Sequence, residues 1–295
     1  MDRLNAMHLF VRVAELNSFS AVAQQMGVAR SVVTRQISAL ETHLGVRLMV
    51  RSTRSLTLTS AGTAYLEKCR VILNLVEVAE TGIAEQRATP RGNIRISLPL
   101  SFGLKRLVPH LLEFSRRYPQ VSLDMDYADR RVHLIEEGID LAIRITRRLE
   151  GHDVVRKIGT SQMHVVASPA YLARFGRPRH PSELAHHECL GYTMQGSQQA
   201  WQFELDGVLE NFPVQARISA NNGEALMQAA AQGLGITCQP DFITEASLAS
   251  GELEQILAEF SVPELGIYVM LPSNRQIPHR VRVLMDFLTE RIAAT

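Results

Sequence analysis

The chain has 295 residues, 46% hydrophobic and 21% charged, with a formal net charge of +1. That is the balance of a soluble globular protein with room for two or three domains, and no apolar run is long enough to span a bilayer. The charge is unevenly spread. Residues 1–60 carry seven arginines against three acids, net +4, which points to a local polyanion-binding module at one end of a near-neutral protein. The three cysteines, Cys69, Cys189 and Cys238, are odd in number and far apart. Without a signal peptide they imply a reducing cytoplasm and no disulfide framework.

The first segment, LNAMHLFVRVAEL (4–16), sets Leu4, Met7, Phe10, Val11 and Ala14 at helical spacing. Ser18 is placed to cap a second, alanine-rich helix that runs to Met26. Gly27 then supplies a tight turn. The third segment, Arg30 to Leu44, has two faces. Val33, Ile37, Leu40 and Leu44 form an apolar stripe, while Ser31, Thr34, Arg35 and Ser38 lie on another. Such a helix packs with one side and offers hydroxyls and a guanidinium with the other, which suits a major groove. Gly45 ends it. Residues 46–59 read as a basic two-stranded wing with Arg47, Arg51 and Arg54, able to follow phosphates or enter a minor groove.

The block FSAVAQQMGVARSVVTRQISALETHLGVRLMVRSTRSLTLTSAG resembles the N-terminal domain of LysR-type transcriptional regulators, and the resemblance extends in order and length over the whole chain. Carried over by position, it implies that Arg30, Ser31, Thr34 and Arg35 meet bases and phosphates and that Arg51 holds the backbone. The polar stripe adds Ser38, and the wing adds Arg54. The chain departs from the family pattern at three places. Ala29 stands where a capping Ser is common, Arg30 and Ser31 where Gln and Pro are common, and Val50 where an acid often precedes Arg51. These departures leave the ability to bind DNA intact and make the preferred operator sequence unpredictable.

Thr59 can cap a long helix over 60–86, on the order of 40 Å at 1.5 Å per residue. Tyr65, Cys69, Ile72, Val76, Ala79 and Ile83 form a heptad-like seam along it. The seam fits a dimerisation helix, which is how the family uses it; the alternative is packing on its own domain. A dimer would present two recognition helices to an interrupted inverted repeat, and the family resemblance suggests a tetramer built from dimers. Pro90 and Gly92 mark a hinge over 87–92.

From residue 93 short strands alternate with helices: NIRISLP, GLKRLVPHLLEFSRRYP, VSLDMDYA, IDLAIRI, MHVVASP, PAYLARFG, ITCQP, DFITEASLASG, LGIYVMLP and HRVRVLMDFLTERI. This alternation implies parallel sheet flanked by helices. The expected fold is α/β throughout: a winged helix-turn-helix (1–59), a linker helix (60–86), the hinge, and a bilobed effector domain (93–295) like that of periplasmic binding proteins. Lobe I would take 93–163 and 267–295, and lobe II 164–266. SFGLKRLVPHLLEFSRRYP, DLAIRI, ASPAYLARFG and HHECL resemble most closely the branch of the family that includes CrgA.

In open α/β sheets ligands sit beyond the carboxyl ends of strands, where helix N-termini favour anions. On that rule the effector residues are Ser101 and Phe102 after the first strand, Arg144 at the end of DLAIRIT, Asn221 and Asn222 before the helix near Glu224, Gln239 ending ITCQP, and Gln195 in a polar loop. Ser101 is also expected to cap the helix it begins. The expected effector is a small organic anion or an aromatic compound. HHEC (186–189) lacks the second half of a zinc site. No phosphate loop, GxSxG elbow or HExxH is present, and Gly233-x-Gly235 is a weak dinucleotide signal. The sequence therefore calls for no catalytic residue, metal or cofactor. The competing reading is an α/β solute-binding receptor or enzyme with an N-terminal assembly domain, but that reading leaves the polar helix face and basic wing without a purpose.

Overall fold

The protein is described by a computed structural model covering residues 2–51, 56–81, 89–147, 154–193, 200–272 and 277–293. It divides into two compact units, the first consisting mainly of Met1–Pro90.

The first unit begins with α1 (Arg3–Leu16), α2 (Phe19–Gln25) and α3 (Arg30–Leu44). Local chemistry sets their ends. Asp2 accepts the Asn5 N–H to cap α1, and Ser18 accepts the Ala21 N–H at 3.2 Å to cap α2. Gly27 (φ +64°) turns the chain between α2 and α3, and Gly45 (φ +68°) closes α3 in the left-handed conformation that glycine adopts without cost. α3 starts at Ala29 with no side-chain cap. Val33, Ile37 and Leu40 are buried with Leu9, Phe10, Val13 and Val22. Each such side chain contributes about 1.5–3 kcal/mol.

The wing follows as β1 (Met49–Arg51) and β2 (Leu56–Leu58), antiparallel with Met49 opposite Leu58. Its tip, including Arg54, lies outside the described residues. Thr59 Oγ accepts the Gly62 N–H at 2.9 Å and so caps α4 (Ser60–Thr81). The expected continuation of this helix to residue 86 lies outside the described residues, as do the first residues of the hinge. Gly92 already belongs to a strand, paired with Val121.

The seam on α4 needs correction. Cys69 is fully buried, and the Tyr65 ring lies 5.9 Å from that of Phe10. These two positions are spent on α1 of the same chain, because the helix must first cover its own domain's core. Ile72 and Val76, farther along the helix, are half-buried.

The second unit contains β3 (Gly92–Leu98), β4 (Val121–Tyr127), β5 (Leu141–Thr146), β6 (Val154–Ser161), β7 (Met163–Ala167), β8 (Cys189–Tyr192), the hairpin β9 (Ala200–Leu205) and β10 (Val208–Pro213), β11 (Ala216–Ala220), β12 (Ile236–Pro240), β13 (Glu254–Ile256) and β14 (Leu265–Leu271). Its helices are α5 (Leu100–Phe102), which runs through a π-helical turn (Gly103–Leu107) into α6 (Val108–Arg117), then α7 (Pro169–Phe175), α8 (Gly223–Ala231), α9 (Asp241–Ser250) and α10 (His279–Ala293). Two five-stranded sheets result, ordered β4-β3-β5-β14-β6 and β11-β8-β12-β7-β13.

Both sheets are mixed rather than wholly parallel. β3 is parallel to β4 and β5, while β14 is antiparallel to β5 and β6. In the second sheet β8 is parallel to β11 and β12, and β7 is antiparallel to β12 and β13. Parallel neighbours need a crossover connection. α5 and α6 supply it between β3 and β4, while the chain passes from one sheet to the other between β6 and β7 and returns between β13 and β14. α6 and α10 meet over the first sheet through Phe114 and Phe287, whose rings are 5.5 Å apart. The second sheet buries Val165, Tyr171, Leu184, Cys189 and Ile236. No helix among the described residues is long and apolar enough to cross a membrane.

Two consequences can be measured. A Cβ on Gly62 would lie 1.9 Å from the Leu48 carbonyl oxygen, a backbone atom that cannot step aside. Gly62→Ala should therefore destabilise the N-terminal unit by more than about 3 kcal/mol, read as loss of its urea transition. Burial pushes the Cys69 thiol up to about 11 and those of Cys189 and Cys238 up to about 12. The folded chain then keeps thiol protons that the unfolded chain releases above its ordinary thiol pKa. Stability is intact below that value and falls as pH rises toward 11–12. The melting temperature should decline between pH 8.5 and 10.5, and Cys189→Ala should flatten the decline.

Candidate DNA-binding face and effector cleft

On α3 the two stripes separate cleanly. Arg30, Ser31, Arg35 and Ser38 are exposed and Thr34 is half-buried, while Val33, Ile37 and Leu40 lie in the core. The polar side chains thus share an open face on a helix whose other face is fixed. Arg51 ends β1, which places its backbone at the wing; the position of its side chain lies outside the described residues, as does Arg54.

In the second unit the carboxyl ends of β3, β4 and β5 in one lobe, and of β8, β11 and β12 in the other, mark the crevice. Several bridges join the lobes. Phe102 of α5 packs edge-on against Phe242 of α9, ring centres 5.1 Å apart. Lys105 lies 2.9 Å from Glu224, close in distance although the carboxylate oxygen is not aligned as a hydrogen-bond acceptor. Arg106 reaches Glu245 at 2.5 Å, and Arg147 donates to Gln202 Oε1 at 3.2 Å. At the first crossing, Asp241 accepts from the Ser161 hydroxyl at 2.6 Å and from the Gln162 N–H at 3.0 Å. This ties the start of α9 to the connecting strand.

The structure redistributes the expected effector residues. Ser101 does not cap α5. The N-cap position is Pro99, which has no side-chain donor or acceptor, and Asp129 in the loop after β4 instead accepts the Leu100 N–H at 3.0 Å. Phe102 is buried against the other lobe. Arg144 lies inside β5, not at its end, and donates to the Ser97 hydroxyl at 2.8 Å and to the Ile143 carbonyl at 2.7 Å. Asn222 Oδ1 is spent on capping α8 through the Ala225 N–H at 3.1 Å, and Asn221 is exposed beside it. Gln239 is 1% exposed and gives its amide N–H to Thr237. Its Oε1 so crowds the start of α8 that a Cβ on Gly223 would lie 2.6 Å away. Gln195 lies outside the described residues.

Three residues that reading the sequence missed do face the crevice. Asp129 caps α5 and lies close enough to Tyr192, at the end of β8, to add to its shift; burial first and then this charge push the Tyr192 hydroxyl up to about 12. Arg147, just past β5, is a third cation that reaches the second lobe, beside Lys105 and Arg106. It opposes the upward shift that burial imposes on the Cys238 thiol. Its position one residue after the strand was a visible signal, but the sequence reads Arg144 as the cation at the strand's end. As for the cysteines, Cys189 is level with Ile236 on the neighbouring strand. Cys238 is therefore offset by two residues, roughly 8 Å in Cα separation from ordinary strand spacings, beyond the reach of a disulfide. In HHEC, His187 bonds the Tyr171 hydroxyl at 3.2 Å and the Cys189 thiol donates to the Leu184 carbonyl, so both have structural partners.

Comparison with known proteins accounts for both units. Residues 4–63 match the bacterial regulatory helix-turn-helix model of the lysR family, and residues 87–293 match the LysR substrate binding domain. An uncharacterised HTH-type transcriptional regulator of Haemophilus influenzae is 36% identical, with 95% of this chain and 98% of the relative aligned. The regulator CrgA of Neisseria meningitidis is 34% identical over 96% of this chain and 95% of its own. The solved structure of CrgA superposes with a TM-score of 0.62 at 33% identity, covering 98% of each chain. Full-length AphB from Vibrio cholerae, a virulence activator, gives 0.59 at 28% identity over 98% of this chain and 99% of that one. These relatives are transcriptional regulators, so the reading as a receptor or enzyme with an assembly domain falls. The chain belongs to the LysR family of bacterial transcriptional regulators.

Proposed function

We propose that this regulator reads its operator through Arg30, Ser31, Thr34, Arg35 and Ser38 of α3, with Arg51 and Arg54 of the wing on the phosphates. The observation that carries this reading is the exposed polar stripe set opposite a buried apolar one on a single helix. The chain acts in the cytoplasm as a dimer whose α4 helices pair beyond Cys69, and two dimers form a tetramer on an interrupted inverted repeat.

The effector is a small organic anion or an aromatic compound held in the crevice between the lobes. The cations Lys105, Arg106 and Arg147 at its edge support the anion. Arg147 is bonded to the neutral Gln202, so a carboxylate could take its place at little electrostatic cost. Closing or opening the crevice around the effector would shift the balance of DNA-bound states, since a ligand moves an equilibrium only through unequal affinity for its states.

Sequencing of genomic DNA retained by the purified protein near physiological salt should enrich a few promoter regions that share an interrupted inverted repeat. Uniform, salt-labile retention would defeat the reading of α3 as a base-reading helix. On the operator so found, Arg35→Ala should cost roughly 1–3 kcal/mol and relax preference at one position. Equal loss on operator and random DNA would remove its base contact. Trp201, the single tryptophan, packs against the core of the second lobe, so its emission can report a change in that lobe. Titration with a panel of small carboxylates should shift that emission for at least one member, and Arg147→Ala should weaken the response tenfold or more while leaving operator binding unchanged. An undiminished response would place the anion elsewhere.

A further inference from the structure

Glu41 is an anomaly of α3. It falls four residues after Ile37 on the core-facing stripe, in the last turn of the helix, where the helix dipole disfavours a negative charge. It is only 9% exposed, and burying a carboxylate is costly unless its oxygens are met. They are met by the root of the wing. Glu41 Oε1 accepts the Leu48 N–H at 2.8 Å and the Met49 N–H at 3.1 Å, and Oε2 lies 3.5 Å from the Arg47 guanidinium. The same short stretch is gripped from its other side by the cap of α4. The Thr59 N–H donates to the Leu48 carbonyl at 3.0 Å, and its hydroxyl donates to the Arg47 carbonyl at 2.7 Å. Beside Glu41, between α3 and β1, is an open cavity of about 380 Å³ bordered by Phe19, Ile37, Ser38 and Val50. Leu48 and Met49 are buried in the same core as Ile37 and Leu40, and across the gap that this packing leaves open the carboxylate adds a polar link from the recognition helix to the first wing strand.

We infer that Glu41 is a positioning residue for DNA binding: it sets the wing relative to the recognition helix, so that the wing arginines reach phosphates while α3 lies in the groove. The inference rests on the reading of Arg51 as a phosphate contact. Glu41 touches no DNA itself. Its two accepted N–H bonds orient β1, and Arg51 ends that strand.

The test is operator and random-DNA binding across a salt series for the full-length wild type, Glu41→Ala, Glu41→Asp, Glu41→Gln, Arg51→Ala and the Glu41→Ala/Arg51→Ala double variant. Arg51→Ala should lower the slope of log affinity against log salt by about one. Glu41→Ala should do the same and weaken operator and random DNA by a common factor of about ten, leaving their ratio unchanged. In the double variant the two losses should overlap rather than multiply. Glu41→Asp, one methylene too short to reach both N–H groups, should resemble Glu41→Ala and covers the case in which the alanine variant does not fold. Glu41→Gln keeps an acceptor oxygen and should stay within about threefold of wild type.

Several results would overturn the inference. One is a Glu41→Ala or Glu41→Asp slope equal to wild type while Arg51→Ala flattens it. Others are multiplicative losses in the double variant, or a lost operator preference at constant slope, which would put the effect in α3. If Arg51→Ala leaves the slope unchanged, the phosphate reading of the wing fails and the role of Glu41 falls with it; that result is distinct from failure at Glu41 alone.

Discussion

A helix that reads DNA must be held rigidly by one face and left bare on the other. Everything in the first unit follows from how α3 meets that demand. Val33, Ile37 and Leu40 are spent on the core with α1 and α2, so the rotation of the helix about its axis is fixed by burial. Gly27 and Gly45 let the chain leave both ends sharply. Once the rotation is fixed, Arg30, Ser31, Arg35 and Ser38 have no choice but to face outward. The outward side chains contribute nothing to the core, so they can change without loss of fold.

The second unit solves a different problem. Two sheets joined by two chain crossings are held together further by side-chain bridges of unequal character. Phe102 on Phe242 is apolar and insensitive to salt. Lys105–Glu224 and Arg106–Glu245 are partly exposed ion pairs of the kind that is individually weak. Arg147–Gln202 is a single hydrogen bond. These links are weak and separable, whereas the Asp241 tie to Ser161 and Gln162 keeps one crossing in register.

How much of this was legible beforehand depends on the range of the interaction. Helices α1–α4, the caps at Ser18 and Thr59, and the turns at Gly27 and Gly45 are local, and periodicity with a few special residues reveals them. The α/β class of the second unit follows from alternation of short segments. Strand direction does not, because β14 is inserted between β5 and β6 by a contact more than 100 residues away. The surroundings of the expected effector residues are set by long-range contacts. Ser101 looked like a cap because it follows a strand, but Asp129 from another loop takes that position. Asn222 and Gln239 were recognised as strand-end polar groups, yet their polar atoms are taken by Ala225 and Thr237. Arg144 reads in the sequence as the cation at the end of its strand, whereas β5 runs on to Thr146 and Arg147 is the first residue beyond it. Glu41 was visible as an acid on an apolar stripe, but its partners are backbone groups, which no pattern of side chains encodes.

The insertion of β14 also bears on the order in which the molecule can be made. The strands of the second sheet come from one continuous stretch, 163–256, so that lobe has all its parts before the chain is finished. The first sheet must wait for residues 265–271, without which β5 and β6 have no partner between them. During synthesis from the N-terminus, at ordinary rates of about 5–20 residues per second, the DNA-binding helices emerge and can close on one another well before the effector lobes are complete. A chain that stops short of β14 would thus retain a folded DNA-binding end attached to an unfinished receptor.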